Sequence, residues 1–397
     1  MPDYAIFYEW AMFAVRWLHV VTAIAWIGSS FYFIALDLGL RKTPSLPPLA
    51  HGEEWQVHGG GFYHIQKYLV APEFLPEHLT WFKWESYATW LSGAMLLALL
   101  YYVGADLFLV DRNVLDVPSW VAILLSAGSI VLGWLLYDTL CKSPIGQSTT
   151  GLMLVLFGIL VAMSWGYTQL FTGRAAMLHM GAFTATIMTA NVAMIIIPNQ
   201  KIVVADLIAG RTPDPKYGRI AKQRSLHNNY LTLPVVFLMI SNHYPLAFGT
   251  RYSWVIVAVV LVVGAVIRHF FNSRHAGKPT PWWTWAVAAA GVAVIGGLSA
   301  AGTRTESAAA PAKVEFAQVE EVVLSRCSMC HAAQPVWEGI GVPPRGVMLD
   351  SAEAISRHAP QIRTWAALSD AMPPGNVTGI TPEERRLLAA WADQLPR

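Results

Sequence analysis

The sequence predicts an all-α fold: a polytopic membrane helical bundle of about eight transmembrane helices, followed by a small soluble domain. The 397 residues are 55% apolar and only 13% charged, whereas soluble domains average about 45–50% apolar and about 25% charged residues. Charge is also unevenly placed, because residues 304–397 hold 20 of the 52 charged side chains. A net charge of +2 gives no sign of a nucleic-acid partner, and three cysteines exclude a disulfide framework.

Eight stretches approach the roughly 20 apolar residues that a helix needs to cross the lipid bilayer. They are 11–36, 86–106, 118–140, 151–171, 176–198, 228–248, 253–271 and 282–302. Short similarities between the two halves, such as Leu18-His19 and Leu178-His179, suggest a duplicated four-helix unit. In that repeat His19 and His179 occupy equivalent positions.

Basic residues indicate how the bundle is oriented. With the N-terminus outside, the inner connections carry fourteen lysines and arginines, and the outer connections before residue 304 carry three. The positive-inside rule therefore predicts that both ends of the chain lie outside the cytoplasm. We expect a membrane domain over 1–302, a small polar linker over 303–314 and an outer soluble domain over 315–397.

The soluble domain contains the strongest motif of the chain, Cys327-Ser328-Met329-Cys330-His331. C-x-x-C-H is the attachment sequence of a c-type haem. Thiols one helical turn apart form thioethers with the two haem vinyl groups, and the following His331 becomes the proximal iron ligand. Met372, followed by two prolines, is the expected second ligand, and a thioether opposite imidazole raises the redox potential.

The flanking segments support this assignment. A helix is expected over 315–326, and Thr381-Pro382-Glu383-Glu384 is a typical helix start. The domain resembles a small class I cytochrome c over nearly all of its length. Haem c is attached outside the cytoplasm, which agrees with the orientation that the basic residues predict.

Ionisable residues at membrane depth are costly and are often functional. They fall into an outer and an inner layer. In the outer layer we predict a haem b ligated by His19 and His179, with His243 as the alternative partner; a hydrogen-bonded packing role is the competing interpretation.

The inner layer combines a glycine-rich loop, which we expect to be flexible, with the ends of two helices. We predict a polar, aromatic substrate pocket here, whereas a surface loop with ordinary helix caps is the alternative. The candidate pocket residues are His58, Tyr63, Lys67, Glu85, Tyr87, His227, Asn228 and Asn229.

Three segments carry a resemblance to one family, the bacterial membrane-bound urate oxidases (urate hydroxylases) with a fused cytochrome c. They are Trp55 to Tyr63, Trp81 to Trp90, and His227 to Pro234 with its continuation to His243. The eight-helix layout and the C-terminal C-x-x-C-H agree with it as well. The first helix, with His19, additionally resembles membrane haem proteins of the copper-resistance and protoporphyrinogen-oxidase type.

The resemblance implies oxidation of urate to 5-hydroxyisourate, with electrons passed to the cytochrome domain and no hydrogen peroxide formed. It implies a bacterial inner-membrane protein whose cytochrome domain is periplasmic and whose downstream acceptor is a respiratory oxidase or a soluble cytochrome. In the pocket, we expect Lys67 or a histidine to stabilise the urate anion, Asn228 and Asn229 to bind its amide edges, and a histidine or Glu85 to take a proton.

Two other functions fit the same pattern of elements. One is a quinol or other small-molecule dehydrogenase that reduces cytochrome c. The other is a purine permease to which an electron carrier is tethered.

Overall fold

A computed structural model describes residues 2–68, 76–301, 313–338 and 340–395. The protein is mostly helical, with 70% helix and 5% strand. Of the predicted linker 303–314, only residues 313 and 314 lie within the described part of the chain.

The helices are α1 (Pro2–Gly39), α2 (Trp84–Leu97), α3 (Ala105–Phe108), α4 (Ser119–Lys142), α5 (Thr149–Thr168), α6 (Gly173–Ala190), α7 (Ile197–Ile208), α8 (Pro215–Ile240), α9 (Pro245–Phe248), α10 (Ser253–His275), α11 (Trp283–Ala301), α12 (Phe316–Arg326), α13 (Ala352–Arg357), α14 (Ala359–Ile362) and α15 (Pro382–Gln394). Turns of π-helix extend α2 over Ala98–Tyr102 and join α6 to α7 over Asn191–Ile196.

Long apolar helices confirm six of the eight predicted spans. In the described part of the chain, helices long and apolar enough to cross a membrane cover Ile6–Gly39, Ser119–Lys142, Thr149–Thr168, Gly173–Ile208, Ser253–His275 and Trp283–Ala301. The stretches 86–106 and 228–248 also contain helix, in α2 and α8, but these helices do not reach that combination of length and apolarity. The number of spans beyond six stays a prediction.

A β-hairpin corrects the all-α prediction. Strands β1 (Ala50–His58) and β2 (Gly61–Tyr68) pair antiparallel, with Trp55 opposite His64. The turn consists of Gly59 and Gly60, whose φ values are 59° and 80°. Positive φ at both central residues is the requirement of a tight type I′ hairpin turn, which two glycines meet without steric cost. The glycine-rich loop predicted to be flexible is therefore a short, defined turn.

Helix α8 lies in the interior of the bundle, where it packs against α6 and α10. Its contact with α10 is close, because a Cβ atom built at Gly264 would lie 2.4 Å from Cδ of Pro234. Pro234 stands inside α8 and its ring takes the place of an ordinary side chain. Glycine at 264 therefore lets the two helix backbones approach each other.

The C-terminal domain has its own apolar core, built from α12, α13, α14 and α15 around Val319, Val323 and Leu388. A capping box starts α15, in which the Thr381 side chain accepts from Glu384 N at 3.2 Å and Glu384 Oε2 accepts from Thr381 N at 2.7 Å. Both helices predicted from the sequence are present here.

The C-terminal domain contacts the membrane part at the connections that the charge bias assigns to the outer face. Trp365 and Ala371 pack against the core of the bundle. A Cβ built at Gly249 would lie 2.5 Å from Cβ of Ser369, and one at Gly375 would lie 2.7 Å from the Val110 carbonyl oxygen. The two units are thus in close contact.

We expect Gly264→Val to destabilise the protein by about 1–3 kcal/mol, because the new side chain collides with a rigid proline ring. Thermal unfolding in detergent, followed by circular dichroism, measures the effect. Gly158→Val on α5 is the matched control, since a Cβ atom there meets nothing within 4 Å. Equal unfolding temperatures for the two variants would contradict the close α8–α10 contact.

Candidate functional site

The C-x-x-C-H segment follows directly from α12. Cys327 lies at the C-terminal end of the helix, and the next turn brings His331 N to 2.9 Å from the Cys327 carbonyl oxygen. His331 Nδ1 lies 2.9 Å from the Val347 carbonyl oxygen. Nδ1 therefore donates to that oxygen, which orients the ring and leaves Nε2 as the ligand atom. Two thiols and an imidazole held in this way fit a covalently attached c-type haem.

Met372, the expected second ligand, lies where the two units meet. Arg385 Nη1 donates to the carbonyl oxygens of Met372 at 2.9 Å and of Ser369 at 3.0 Å, as well as to that of Ala366. A cavity of about 230 Å³ beside Met372 is lined by both units, including Phe171 of the bundle. The chemistry predicted for the soluble domain is therefore adjacent to the membrane part.

The outer-layer histidines are not brought together. His19 Nδ1 lies 3.0 Å from the Thr89 carbonyl oxygen, and its ring lies against Gly93 on α2. His179 packs instead on Tyr101, with ring centroids 5.5 Å apart. Gly93 and Tyr101 are eight residues apart along α2 and its π-helical extension, which corresponds to about 12 Å at 1.5 Å per residue. The contacts of the two histidines therefore lie at different levels of the bundle, and a haem b between them stays a prediction.

The hydrogen bonds of His179 also do not fit iron ligation. Its Nδ1 lies 2.8 Å from the Ala175 carbonyl oxygen and its Nε2 lies 2.7 Å from Ser126 Oγ, so both ring nitrogens have protein partners. His243, the alternative, is an exposed residue in the connection after α8.

The residues predicted for the inner pocket divide into two groups. Those on the hairpin are separate from the buried helical ones, and His58 and Tyr63 are exposed on the two strands. Lys67 forms an ion pair with Asp37, which also pairs with Lys222 at 3.2 Å. Burial and the nearby Lys222 charge hold the pKa of Lys67 below its usual range. The ammonium group of Lys67 therefore already has a carboxylate partner, Asp37, which it shares with Lys222.

Two further candidates lie at the start of α2. Glu85 and Tyr87 are half-buried, and the Tyr87 ring packs on Trp84 with centroids 5.9 Å apart. None of the side-chain hydrogen bonds of the described residues joins either of them to the candidates on α8.

The other three candidates, all on α8, are buried. His227 Nδ1 lies 2.7 Å from the Tyr137 hydroxyl oxygen on α4. Asn191 Nδ2 donates to that same oxygen at 3.0 Å and to Asn228 Oδ1 at 2.9 Å. Because the hydroxyl oxygen already accepts from Asn191, the hydroxyl hydrogen is available for His227. Asn228 also donates to the Met188 carbonyl oxygen at 2.9 Å, so both ends of its amide have partners.

A buried ion pair borders this network. Arg224 is only 2% exposed and donates from Nη2 to Asp138 Oδ1 at 2.8 Å. Its guanidinium carbon lies 4.9 Å from the Tyr137 ring centroid. Helix α8 is thereby tied to α4 by charge and to the π-helical turn by amide hydrogen bonds. A π-helical turn inside a longer helix often marks a functional position.

Asn229 points to the opposite side of α8, toward α10. Its Oδ1 accepts from Asn272 Nδ2 at 2.9 Å and from Arg268 Nε at 3.4 Å, and its own Nδ2 is buried without a partner. Arg268 Nη2 donates to Asn272 Oδ1 at 3.1 Å, and the guanidinium carbon lies 3.9 Å from the Phe31 ring centroid. The amides of Asn228 and Asn229 therefore belong to two different networks.

Sequence reasoning missed several members of these networks. Asn191 and Arg268 were visible as polar residues within apolar stretches, but nothing in their spacing indicated which helices they join. Tyr137, Asp138 and Arg224 lie near predicted helix ends, where polar residues are ordinary. Among the described residues, no group of three or more His, Cys, Asp or Glu side chains is placed to bind a metal ion.

We expect Arg224→Met to destabilise the protein by about 1–3 kcal/mol, because Asp138 loses its buried partner and keeps only its ion pair with Lys142. Adding Asp138→Asn to that variant should cost little more, since the carboxylate charge has then been removed as well. Thermal unfolding in detergent measures both. The control is Arg219→Met, an exposed position on the same helix; additive losses from the two buried changes would contradict the pairing.

The apolar part of the chain matches a known protein family. The family described as Urate oxidase N-terminal matches residues 5–299, which include most of α1, all of α2 to α10 and most of α11. No curated protein and no solved structure matches the chain. Since the match covers well over half of the sequence, the chain belongs to the Urate oxidase N-terminal family.

Proposed function

We propose that this protein is a membrane-bound urate oxidase that converts urate to 5-hydroxyisourate and passes the electrons to its own C-terminal haem domain. The substrate and the oxidoreductase class follow from the family. The acceptor is inferred from the C-x-x-C-H motif and its surroundings. In this reaction, urate and water give 5-hydroxyisourate, two protons and two electrons, and no hydrogen peroxide forms.

The observation that carries the proposal is the contact between the family-matched part and the C-terminal domain. Met372 lies in a cavity whose other wall belongs to the bundle. An electron acceptor tethered to an unrelated permease has no need of such contact. Phe171 in that wall packs on the buried His179, with ring centroids 4.9 Å apart. The aromatic core of the bundle thus continues to the haem domain.

The haem domain supplies a one-electron acceptor when Cys327 and Cys330 hold haem c and His331 and Met372 ligate its iron. Arg385 positions the Met372 backbone through the carbonyl hydrogen bond described above. The Val347 carbonyl keeps His331 in the tautomer that ligates through Nε2. These two contacts hold the predicted ligands from the protein side.

In the proposed arrangement the protein spans the bacterial inner membrane with the haem domain in the periplasm. The hairpin and the buried networks of α8 then lie toward the cytoplasm, and urate enters from there. From the haem domain, electrons leave to a respiratory oxidase or a soluble cytochrome. The basic residues support this orientation, because they concentrate in the connections at the hairpin end.

Anaerobic addition of urate to the oxidised full-length protein tests the proposal. We expect the c-haem absorption band to change to that of the reduced form, with about two haem equivalents reduced per urate, because haem takes one electron at a time. No hydrogen peroxide should accumulate when an external acceptor is supplied.

The control is the Cys327→Ala/Cys330→Ala variant, which cannot attach haem and should show no c-type band. Haem that stays oxidised with urate but is reduced by a quinol would identify a quinol dehydrogenase instead. Uptake of labelled purine by that haem-less variant, together with no haem reduction in the wild type, would identify a permease.

A further inference from the structure

Four residues surround a buried arginine that has no ion-pair partner among the described residues. We call this group the Arg268 cluster; it consists of Phe31, Asn229, Arg268 and Asn272. Arg268 is 5% exposed, yet no carboxylate of a described residue forms a salt bridge with it. A buried cation without a counter-charge is costly, and several kcal/mol per ion is a realistic penalty. The neighbouring aromatic ring and amide oxygens compensate for only part of that cost.

Two hydrogen-bond donors of the cluster are also unused. Asn229 is 0% exposed, and its Nδ2 has no partner. Arg268 uses Nε and Nη2 for the two asparagine oxygens, whereas Nη1 donates to none of the described residues. An unpaired buried donor such as Asn229 Nδ2 costs about 1–3 kcal/mol. A positive charge with two free donors is complementary to an anion that carries acceptor oxygens.

A cavity lies at the hairpin end of the bundle. Its volume is about 490 Å³, and its lining includes Ala35 of α1, Glu54 and Gln56 of β1, and His275 of α10. Cavities of about 300–1,000 Å³ are typical of small-molecule sites.

The cluster lies one helical turn deeper than this cavity on both helices. Phe31 precedes Ala35 by four residues on α1, and Asn272 precedes His275 by three on α10. Residues three or four apart share a helix face. The cavity and the nearest cluster residues, Phe31 and Asn272, therefore lie on successive turns of α1 and α10.

Resting on the proposed function, we propose that the Arg268 cluster binds the urate anion, which enters through the hairpin cavity. Arg268 supplies the counter-charge, and Asn229 Nδ2 donates to a carbonyl oxygen of the purine. Glu54 Oε2, a buried acceptor without a partner beside Gly39, lies in the entrance and is suited to a purine N–H. The cluster should prefer a planar, conjugated anion, because the Arg268 guanidinium packs against the Phe31 ring.

The first test uses the full-length, haem-loaded protein in detergent and measures the initial rate of anaerobic haem reduction against urate concentration. We expect Arg268→Gln to raise KM about 30-fold, or about 2 kcal/mol at 1.4 kcal/mol per tenfold, with kcat changed by less than about threefold. Arg274→Gln, an exposed arginine on the same helix, is the control and should leave KM unchanged.

A neutral purine separates anion recognition from a structural role. Hypoxanthine, used as a competitive inhibitor, should bind wild type and Arg268→Gln with similar inhibition constants. If the substitution only distorted the bundle, both ligands would weaken together, and that result would overturn the proposal.

A second variant keeps the proposal testable if Arg268→Gln does not fold. Ala35→Trp fills the hairpin cavity without touching the cluster, and we expect it to lower kcat/KM for urate at least tenfold. Ala25→Trp places the same side chain at an exposed position of α1 and is the control. Wild-type kcat/KM in Ala35→Trp would overturn the entry route and the proposal. Absence of haem reduction by urate in the wild type would instead refute the proposed function.

Discussion

The requirement that polar groups buried among apolar helices find partners inside the protein governs this structure. Helix α8 carries Arg224, His227, Asn228 and Asn229 within six residues, and all four are buried. Each needs a partner on a neighbouring helix. The positions of α4, the π-helical turn and α10 follow from this need, because their side chains supply the acceptors and donors.

The same requirement separates two kinds of site on one helix. On the side of α8 that faces α4, the ion pair of Arg224 with Asp138 and the amide bonds of Asn228 account for most of the polar groups. Arg224 Nε is also without a partner, but Asp138 balances the charge of Arg224, whereas on the side that faces α10 Arg268 has no carboxylate partner among the described residues and Asn229 Nδ2 is unpaired. A network whose groups are nearly all paired stabilises a fold, whereas one with unused charge and donors is suited to a ligand.

Substrate and electron outlet occupy opposite ends of the bundle in the proposed mechanism. The Arg268 cluster lies beside the hairpin cavity, and Met372 lies against the connections at the other end. This arrangement requires the electrons to cross the bundle between the two ends. It also explains why a carrier domain is held in contact with the bundle instead of being freely tethered.

Short sequence motifs were sufficient to predict the structure of the residues next to them. The C-x-x-C-H motif, the helix before it and the Thr381 capping box depend on neighbours within a few residues, and the structure has both helices at the predicted places. The hairpin carried an equally local signal, since Gly59-Gly60 stands between two alternating segments, but the glycines were interpreted as flexibility. The pairing of His19 with His179 at one haem stays a prediction, because it depends on the relative depth of two helices.

What the sequence by itself determined is the division into an apolar bundle and a charged segment with a C-x-x-C-H motif, because composition and contiguous motifs require no knowledge of contacts. Only the tertiary structure decided that Asn228 and Asn229 serve different networks and that Arg268 lacks a counter-charge. Adjacent helical residues point about 100° apart, so their partners depend on which helices pack on each side. That packing is set by contacts between residues far apart in the chain.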